Sequence, residues 1–201
     1  FLLGRSSGQR IGAIHRKTYE TDIQVEVNLD QKGKADIATG VGFFDHMLEQ
    51  IAKHAGIELE IQVKGDLHID PHHTIEDTAL ALGQAFKKAL GDKRGIHRYG
   101  SCLLPMDEAL AQVALDFSGR PWLVWKGEIP REKVGGFPVE MTAHFFKSFC
   151  DTSGCTLNIQ VEGENAHHMI EAVFKGFARA VRHAVSYTED RNEMPSTKGM
   201  L

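Results

Sequence analysis

Across residues 23–29 apolar and polar side chains alternate. Ile23, Val25, Val27 and Leu29 share one face, the period of a strand with a single buried side. Elsewhere the period changes. Ile75, Ala79, Leu82, Phe86 and Leu90 recur at three- and four-residue spacing, as do Ile170, Val173, Phe177, Val181 and Val185, which predicts helices over 72–90 and 167–185. Asp70 as N-cap, with Pro71 in the first helical position, would open the former, and Asn165 would cap the latter. Shorter helices are predicted over 44–53 and 139–149, with strands over 57–63 and 155–161 following them. The polar stretch 189–201 reads as an irregular tail.

These elements come twice. His46 set over His144 gives an offset of 98 residues, which also pairs Gly56 with Gly154, Leu59 with Leu157, Ile61 with Ile159, Gln62 with Gln160, Val63 with Val161 and Gly65 with Gly163. Beyond that point the offset is 95, pairing Asp70 with Asn165, His72 with His167, His73 with His168 and Glu76 with Glu171. An earlier echo pairs the segment 25–30 with 112–116, ending Asp30 on Asp116. The pattern predicts an α+β fold, an internally duplicated unit of strands and helices, with repeats of about 10–93 and 94–188 joined near 91–100.

Composition narrows the function classes. At 201 residues the chain suits one domain, or two small halves sharing a core. With 42% hydrophobic and 25% charged residues it reads as an ordinary globular protein. A net charge of −4 argues against a general nucleic-acid binder. No apolar run approaches the roughly 20 residues of a membrane span, so no membrane partner is expected and the cytoplasm is the default location. Cys102, Cys150 and Cys155 lack metal-knuckle spacing and read as reduced thiols.

The unusual count is histidine, 11 residues against three tyrosines. Residues i and i+4 on a helix share a face with Cβ atoms about 5–6 Å apart, so His72 and Glu76 can hold one ion, and His167 and Glu171 another. His73 and His168 point about 100° further round and more naturally serve a second ion. Adding the duplicated His46 and His144 gives two predicted ligand sets: His72, Glu76, His144 and His168, and His167, Glu171, His46 and His73. Imidazole and carboxylate without thiolate suit Mn, Fe, Zn, Co or Ni alike. Asp77 could orient one of these histidines or be a solvated helix acid. His15, His54, His68, His97, His183 and the cluster Lys87-Lys88, Lys93-Arg94 read as ordinary surface residues.

The segments Phe44-Asp45-His46-Met47-Leu48, His72-His73-Thr74-Ile75-Glu76-Asp77, Phe117-Ser118-Gly119-Arg120-Pro121, His144-Phe145-Phe146, Asn165-Ala166-His167-His168-x-x-Glu171 and Ser196-Thr197-Lys198-Gly199 resemble imidazoleglycerol-phosphate dehydratase of histidine biosynthesis. The likeness runs from about Arg10 to Leu201, with Thr197 where the family would carry a second serine. No phosphatase domain precedes it in this sequence, unlike fused bacterial forms, and residues 1–9 lie outside the likeness and are expected to be a leader. The resemblance implies a fold like the second domain of ribosomal protein S5. It also implies two Mn(II) ions per active site, and a homo-oligomer of 24 subunits with active sites between subunits.

The implied reaction is a dehydration, imidazole glycerol phosphate to imidazole acetol phosphate. No carbonyl stabilises the carbanion, so two metals flanking a deprotonated imidazole ring would let it expel the neighbouring hydroxyl through a diazafulvene-like intermediate. The resemblance makes Glu20 the acid/base group in contact with substrate, with Glu171 its rival. It assigns Gln50 as a further substrate contact and Arg98, Arg120, Lys175, Ser196 and Lys198 to the phosphate, a task suited to guanidinium and ammonium groups. Two other readings stay open: a binuclear metallohydrolase, which would usually lean on more aspartates, and a non-catalytic assembly protein glued by metal.

Overall fold

The structure, a computed structural model, describes residues 8–201. Most of the predicted leader lies outside the described residues. The first half runs β1 (Ile11–Lys17), β2 (Thr21–Asn28), β3 (Ala35–Ala38), α1 (Gly42–Ala55), β4 (Glu58–Gly65) and α2 (His72–Leu90). The second runs β5 (Tyr99–Met106), β6 (Ala109–Asp116), β7 (Trp122–Lys126), β8 (Lys133–Val134), β9 (Phe137–Pro138), α3 (Met141–Ser153), β10 (Thr156–Glu162) and α4 (Ala166–Val185). Each half forms a four-stranded sheet of one design, β1-β2-β4-β3 and β5-β6-β10-β7. Neighbours are antiparallel except the last pair of each sheet. The duplicated α+β unit is therefore present, with the β8–β9 hairpin an insertion in the second copy.

The alternation read in β2 buries Ile23, Val25 and Val27, opposite Leu59 and Ile61 of β4; Val113 and Leu115 do the same opposite Leu157 and Ile159. Above the sheets the helices exchange partners. α2 packs on β1 and β2 and against α3, while α4 packs on β5 and β6 and against α1. Phenylalanines fill this layer, with Phe86 on Phe149, Phe146 on Phe177 and Phe44 on Phe145, all edge to face. The two extensive helix pairs, α2–α3 and α1–α4, thus each join one half to the other.

Glycines set the closest approaches. A Cβ on Gly12 of β1 would lie 1.9 Å from the Ala85 carbonyl oxygen of α2, and one on Gly100 of β5 would lie 1.9 Å from that of Ala180 of α4. Only glycine lets each helix backbone sit directly on its strand. Gly56 and Gly154, with φ of 68° and 70°, end α1 and α3 in the left-handed region.

Three expectations need correction. The ladders pair Ile11 with Asn28 and Tyr99 with Asp116, so the hairpins superpose at 88 residues and Asn28, rather than Asp30, is the counterpart of Asp116. A two-residue slip leaves the in-and-out alternation unchanged, so apolar patterning cannot detect it. The basic cluster is not all at the surface: Lys93 is buried and donates Nζ to the Phe117 carbonyl at 3.1 Å. Asp70 does cap α2, accepting from the His72 N–H at 2.8 Å ahead of a helical Pro71. Asp77 is buried and orients no histidine: it accepts from Thr21 Oγ1 at 2.6 Å and faces Arg16 at 3.3 Å, tying β1 and β2 to α2.

Candidate metal centre

The exchanged helix pairs place the duplicated residues. At the α2–α3 contact, Glu76 Oε2 lies 3.0 Å from His72 Nε2 and 3.4 Å from His144 Nε2. At the α1–α4 contact, Glu171 Oε2 lies 2.9 Å from His167 Nε2 and 3.4 Å from His46 Nε2. In each trio one donor atom per residue falls within 4.8 Å of the others. His144 Nε2 is buried and makes no hydrogen bond. A buried nitrogen without a partner, facing a carboxylate and a second imidazole, fits an ion in that space.

The two trios are not identical. The Glu171 side chain is 8% exposed against 34% for Glu76. Lys175 Nζ lies 2.8 Å from Glu171 Oε1, whereas the residue 95 positions earlier is Leu80. Burial pushes the Glu171 carboxyl up, but hydrogen bonds from Lys175 and His167 outweigh it and hold the group below its ordinary value.

The fourth member of each predicted set stands apart. Within one chain His168 does not join His72, Glu76 and His144, nor His73 the other trio. His73 Nδ1 donates to Asp66 Oδ2 at 2.8 Å, and His168 Nδ1 donates to Glu108 Oε2 at 2.8 Å. Those hydrogen bonds raise both histidine pKa values. Glu108, held by His168 and by the Asn165 N–H, falls to about 2. Sequence reading missed Asp66 and Glu108; the 88-residue hairpin offset would have set Glu108 over Glu20.

The remaining predicted residues divide into groups. Gln50 sits one turn beyond His46, its Nε2 3.4 Å from His46 Nδ1. Glu20, in the β1–β2 turn, is exposed and accepts from Thr18 Oγ1 at 3.3 Å. Arg98 is buried and engaged inside the chain: Nε and Nη2 grip Asp116 at 2.7 and 3.1 Å, and Nη1 donates to the Pro195 carbonyl at 2.9 Å. It therefore holds the tail that carries Ser196 and Lys198. Further along, that tail brings Leu201 against Gly119, beside the exposed Arg120. Lys175 stands with the Glu171 trio.

Fold and site define an internally duplicated α+β protein with two related imidazole–carboxylate clusters of the kind that bind divalent ions. The family model described as imidazoleglycerol-phosphate dehydratase matches residues 39–181. The bifunctional histidine biosynthesis protein HisB of Spirosoma linguale is 65% identical over 195 residues, covering 96% of this chain and 50% of that protein. The same-named protein of Stenotrophomonas maltophilia is 60% identical, covering 96% and 53%. The crystal structure of imidazoleglycerol-phosphate dehydratase from Staphylococcus aureus superposes with a TM-score of 0.81 at 37% identity, covering 89% of this chain and 99% of that one. The Pyrococcus furiosus structure gives 0.81 at 35%, covering 94% and 100%. The chain belongs to the imidazoleglycerol-phosphate dehydratase family. It spans about half the length of the curated relatives it matches.

Proposed function

We propose that this chain dehydrates imidazole glycerol phosphate to imidazole acetol phosphate, a step of histidine biosynthesis. The observation that carries the reading is the pair of clusters related by the duplication, each with a carboxylate oxygen and two imidazole nitrogens converging on one point. Two divalent ions, Mn(II) in our reading, would be held by His72, Glu76 and His144 and by His46, His167 and Glu171, and would supply Lewis-acid stabilisation of a deprotonated imidazole ring.

His73 and His168 complete the sets, each offered to a neighbouring subunit's cluster. Supporting this, both donate Nδ1 to carboxylates of their own chain, which leaves Nε2 for a ligand bond; the Nε2 of His168 faces Asp107 at 3.7 Å, beyond hydrogen-bond reach. Active sites between subunits of a homo-oligomer, 24 chains in the resemblance, follow from that arrangement. Glu20 moves the substrate proton: it lies outside both trios, and an exposed carboxylate can reach a bound molecule. Glu171 is less suited, because His167 and Lys175 already occupy its oxygens. Lys175, Arg120, Ser196 and Lys198 take the phosphate, and Arg98 serves by holding the tail in place. Among the described residues no helix is long and apolar enough to cross a membrane; we place the activity in the cytoplasm.

The test is product analysis. Metal-loaded protein incubated with imidazole glycerol phosphate should yield imidazole acetol phosphate with its phosphate intact. Release of inorganic phosphate would identify a hydrolase instead, and retained metal without turnover an assembly protein.

A further inference from the structure

The duplication carries more than the two trios. The β1–β2 and β5–β6 hairpins superpose at 88 residues, which sets Glu20 over Glu108, each in the turn of its own hairpin. The helix starts superpose at 95, which sets His73 over His168. In the second half the two partners meet, as Glu108 Oε2 takes the Nδ1 proton of His168 at 2.8 Å. In the first half they do not. Asp66, from the segment between β4 and α2, takes the Nδ1 proton of His73 at 2.8 Å, and its other oxygen is buried without a hydrogen bond. Glu20 stays close enough to act on the His73 ring electrostatically, yet its side-chain hydrogen bond is to Thr18.

We propose that Glu108 and Asp66 are the positioning residues of His168 and His73, and that Asp66 has taken in the first half the duty Glu108 has in the second, which leaves Glu20 free to act on substrate. The proposal rests on the ligand sets given above. A carboxylate on Nδ1 fixes the ring's tautomer and direction and raises the basicity of Nε2, the atom offered to an ion. Glu108 is built for this. Its Oε1 accepts from the backbone N–H groups of Glu164 and Asn165, at 3.3 and 2.7 Å, so the carboxylate is clamped to the loop that opens α4 while Oε2 aims the ring. One duplicated position thus has two settings, an orienting acid in one copy and, in the other, an exposed acid held only by the Thr18 hydroxyl among its side-chain contacts.

The test is Mn(II) titration of the intact chain, followed by calorimetry and by electron paramagnetic resonance of free Mn(II), with circular dichroism as the folding control. His168→Ala should abolish tight binding at the ion it serves. Glu108→Gln should weaken that binding about 10- to 100-fold, and Glu20→Gln should leave it unchanged. The double variant Glu108→Gln with His168→Ala should bind no more weakly than His168→Ala alone, because the acid acts only through the ring. A general loosening of the α4 start would instead add to the His168 loss. Should Glu108→Gln fail to fold, Asp66→Asn carries the same measurement against His73→Ala. Unchanged affinity in a folded Glu108→Gln or Asp66→Asn, beside clear loss in the matching histidine variant, overturns this proposal alone. Equal loss in Glu20→Gln overturns the division of duties. Unchanged affinity in His168→Ala and His73→Ala removes those histidines from the ligand sets and sinks both readings.

Discussion

At the scale of single residues, the carboxylates here differ in what already occupies their oxygens. Glu76 and Glu171 each face two imidazole nitrogens, whereas Glu20 has a threonine hydroxyl. Removing a ligand and removing the free acid should therefore separate. His72→Ala or His167→Ala is expected to lower metal affinity at least 10-fold and abolish turnover. Glu20→Gln should keep metal and fold yet lose about 100- to 10,000-fold in kcat. Elemental analysis beside steady-state kinetics checks both. Away from the site, Arg10 holds Asp30 through its backbone N–H at 2.8 Å and its guanidinium at 2.7 Å. Burial pushes the Asp30 carboxyl up, but these contacts outweigh it and keep it below its ordinary value. A depressed carboxylate adds stability above its unfolded pKa, about 3.9, and that stability is lost as pH falls through the lower folded value. Asp30→Asn should cost about 1–2 kcal/mol at pH 7, with the gap closing below about pH 4, as urea unfolding at a series of pH values would show. The histidines were legible because each occurs twice at one helical position. Asp66 and Glu108 were not, since a loop acid has no periodicity and only strand register shows what it reaches.

At the scale of elements, the strand-to-helix contacts at Gly12 and Gly100 are the tightest glycine contacts among the described residues. Gly12→Ala and Gly100→Ala each force a Cβ into a helix carbonyl and should cost about 1–3 kcal/mol or more. Gly42→Ala, with nothing within 4 Å of its Cβ and an ordinary position in the first turn of α1, should be neutral or mildly stabilising. Chemical denaturation of the three variants gives the comparison. Both long helices were readable from their apolar stripes, and α2 spans the predicted residues 72–90. The edge strands β3 and β7 and the β8–β9 hairpin escaped, because strands of two to five residues carry too few alternations to show a period. β1 and β5 escaped although longer, because the one fully buried position in each is a glycine, Gly12 or Gly100, which leaves no apolar alternation to read. Hairpin register escaped for a different reason. Turn geometry and side contacts set it, while a shift of two residues keeps every apolar side chain facing inward.

At the scale of the whole molecule, the ligand sets proposed above make metal a structural partner as well as a chemical one. If His73 and His168 bind ions held by other subunits, binding free energy is realised only in the assembled state and favours that state by mass action. Chelation should then yield smaller oligomers, and added Mn(II) should restore the large one. The smaller species should remain helical, because the helices bury continuous phenylalanine contacts that need no ion. Sedimentation with and without chelator, with circular dichroism alongside, measures this. Metal-free protein that sediments as the same particle across a wide dilution range would confine metal to catalysis.

The exchange of helices between the halves has a further consequence. α1 and α3 are copies of one helix, and α2 and α4 are copies of another, yet α1 meets α4 and α3 meets α2. A half-length polypeptide could therefore build neither trio from its own helices in this arrangement. Two identical half-length polypeptides whose helices met as α1 meets α4 and α3 meets α2 would build both. The chain thus has the form of a homodimer joined into one polypeptide, with each cluster at the seam between its halves. The two copies are no longer equivalent: Lys175 stands opposite Leu80, and Glu108 and Glu20, both glutamate, have different partners, His168 in one copy and Thr18 in the other.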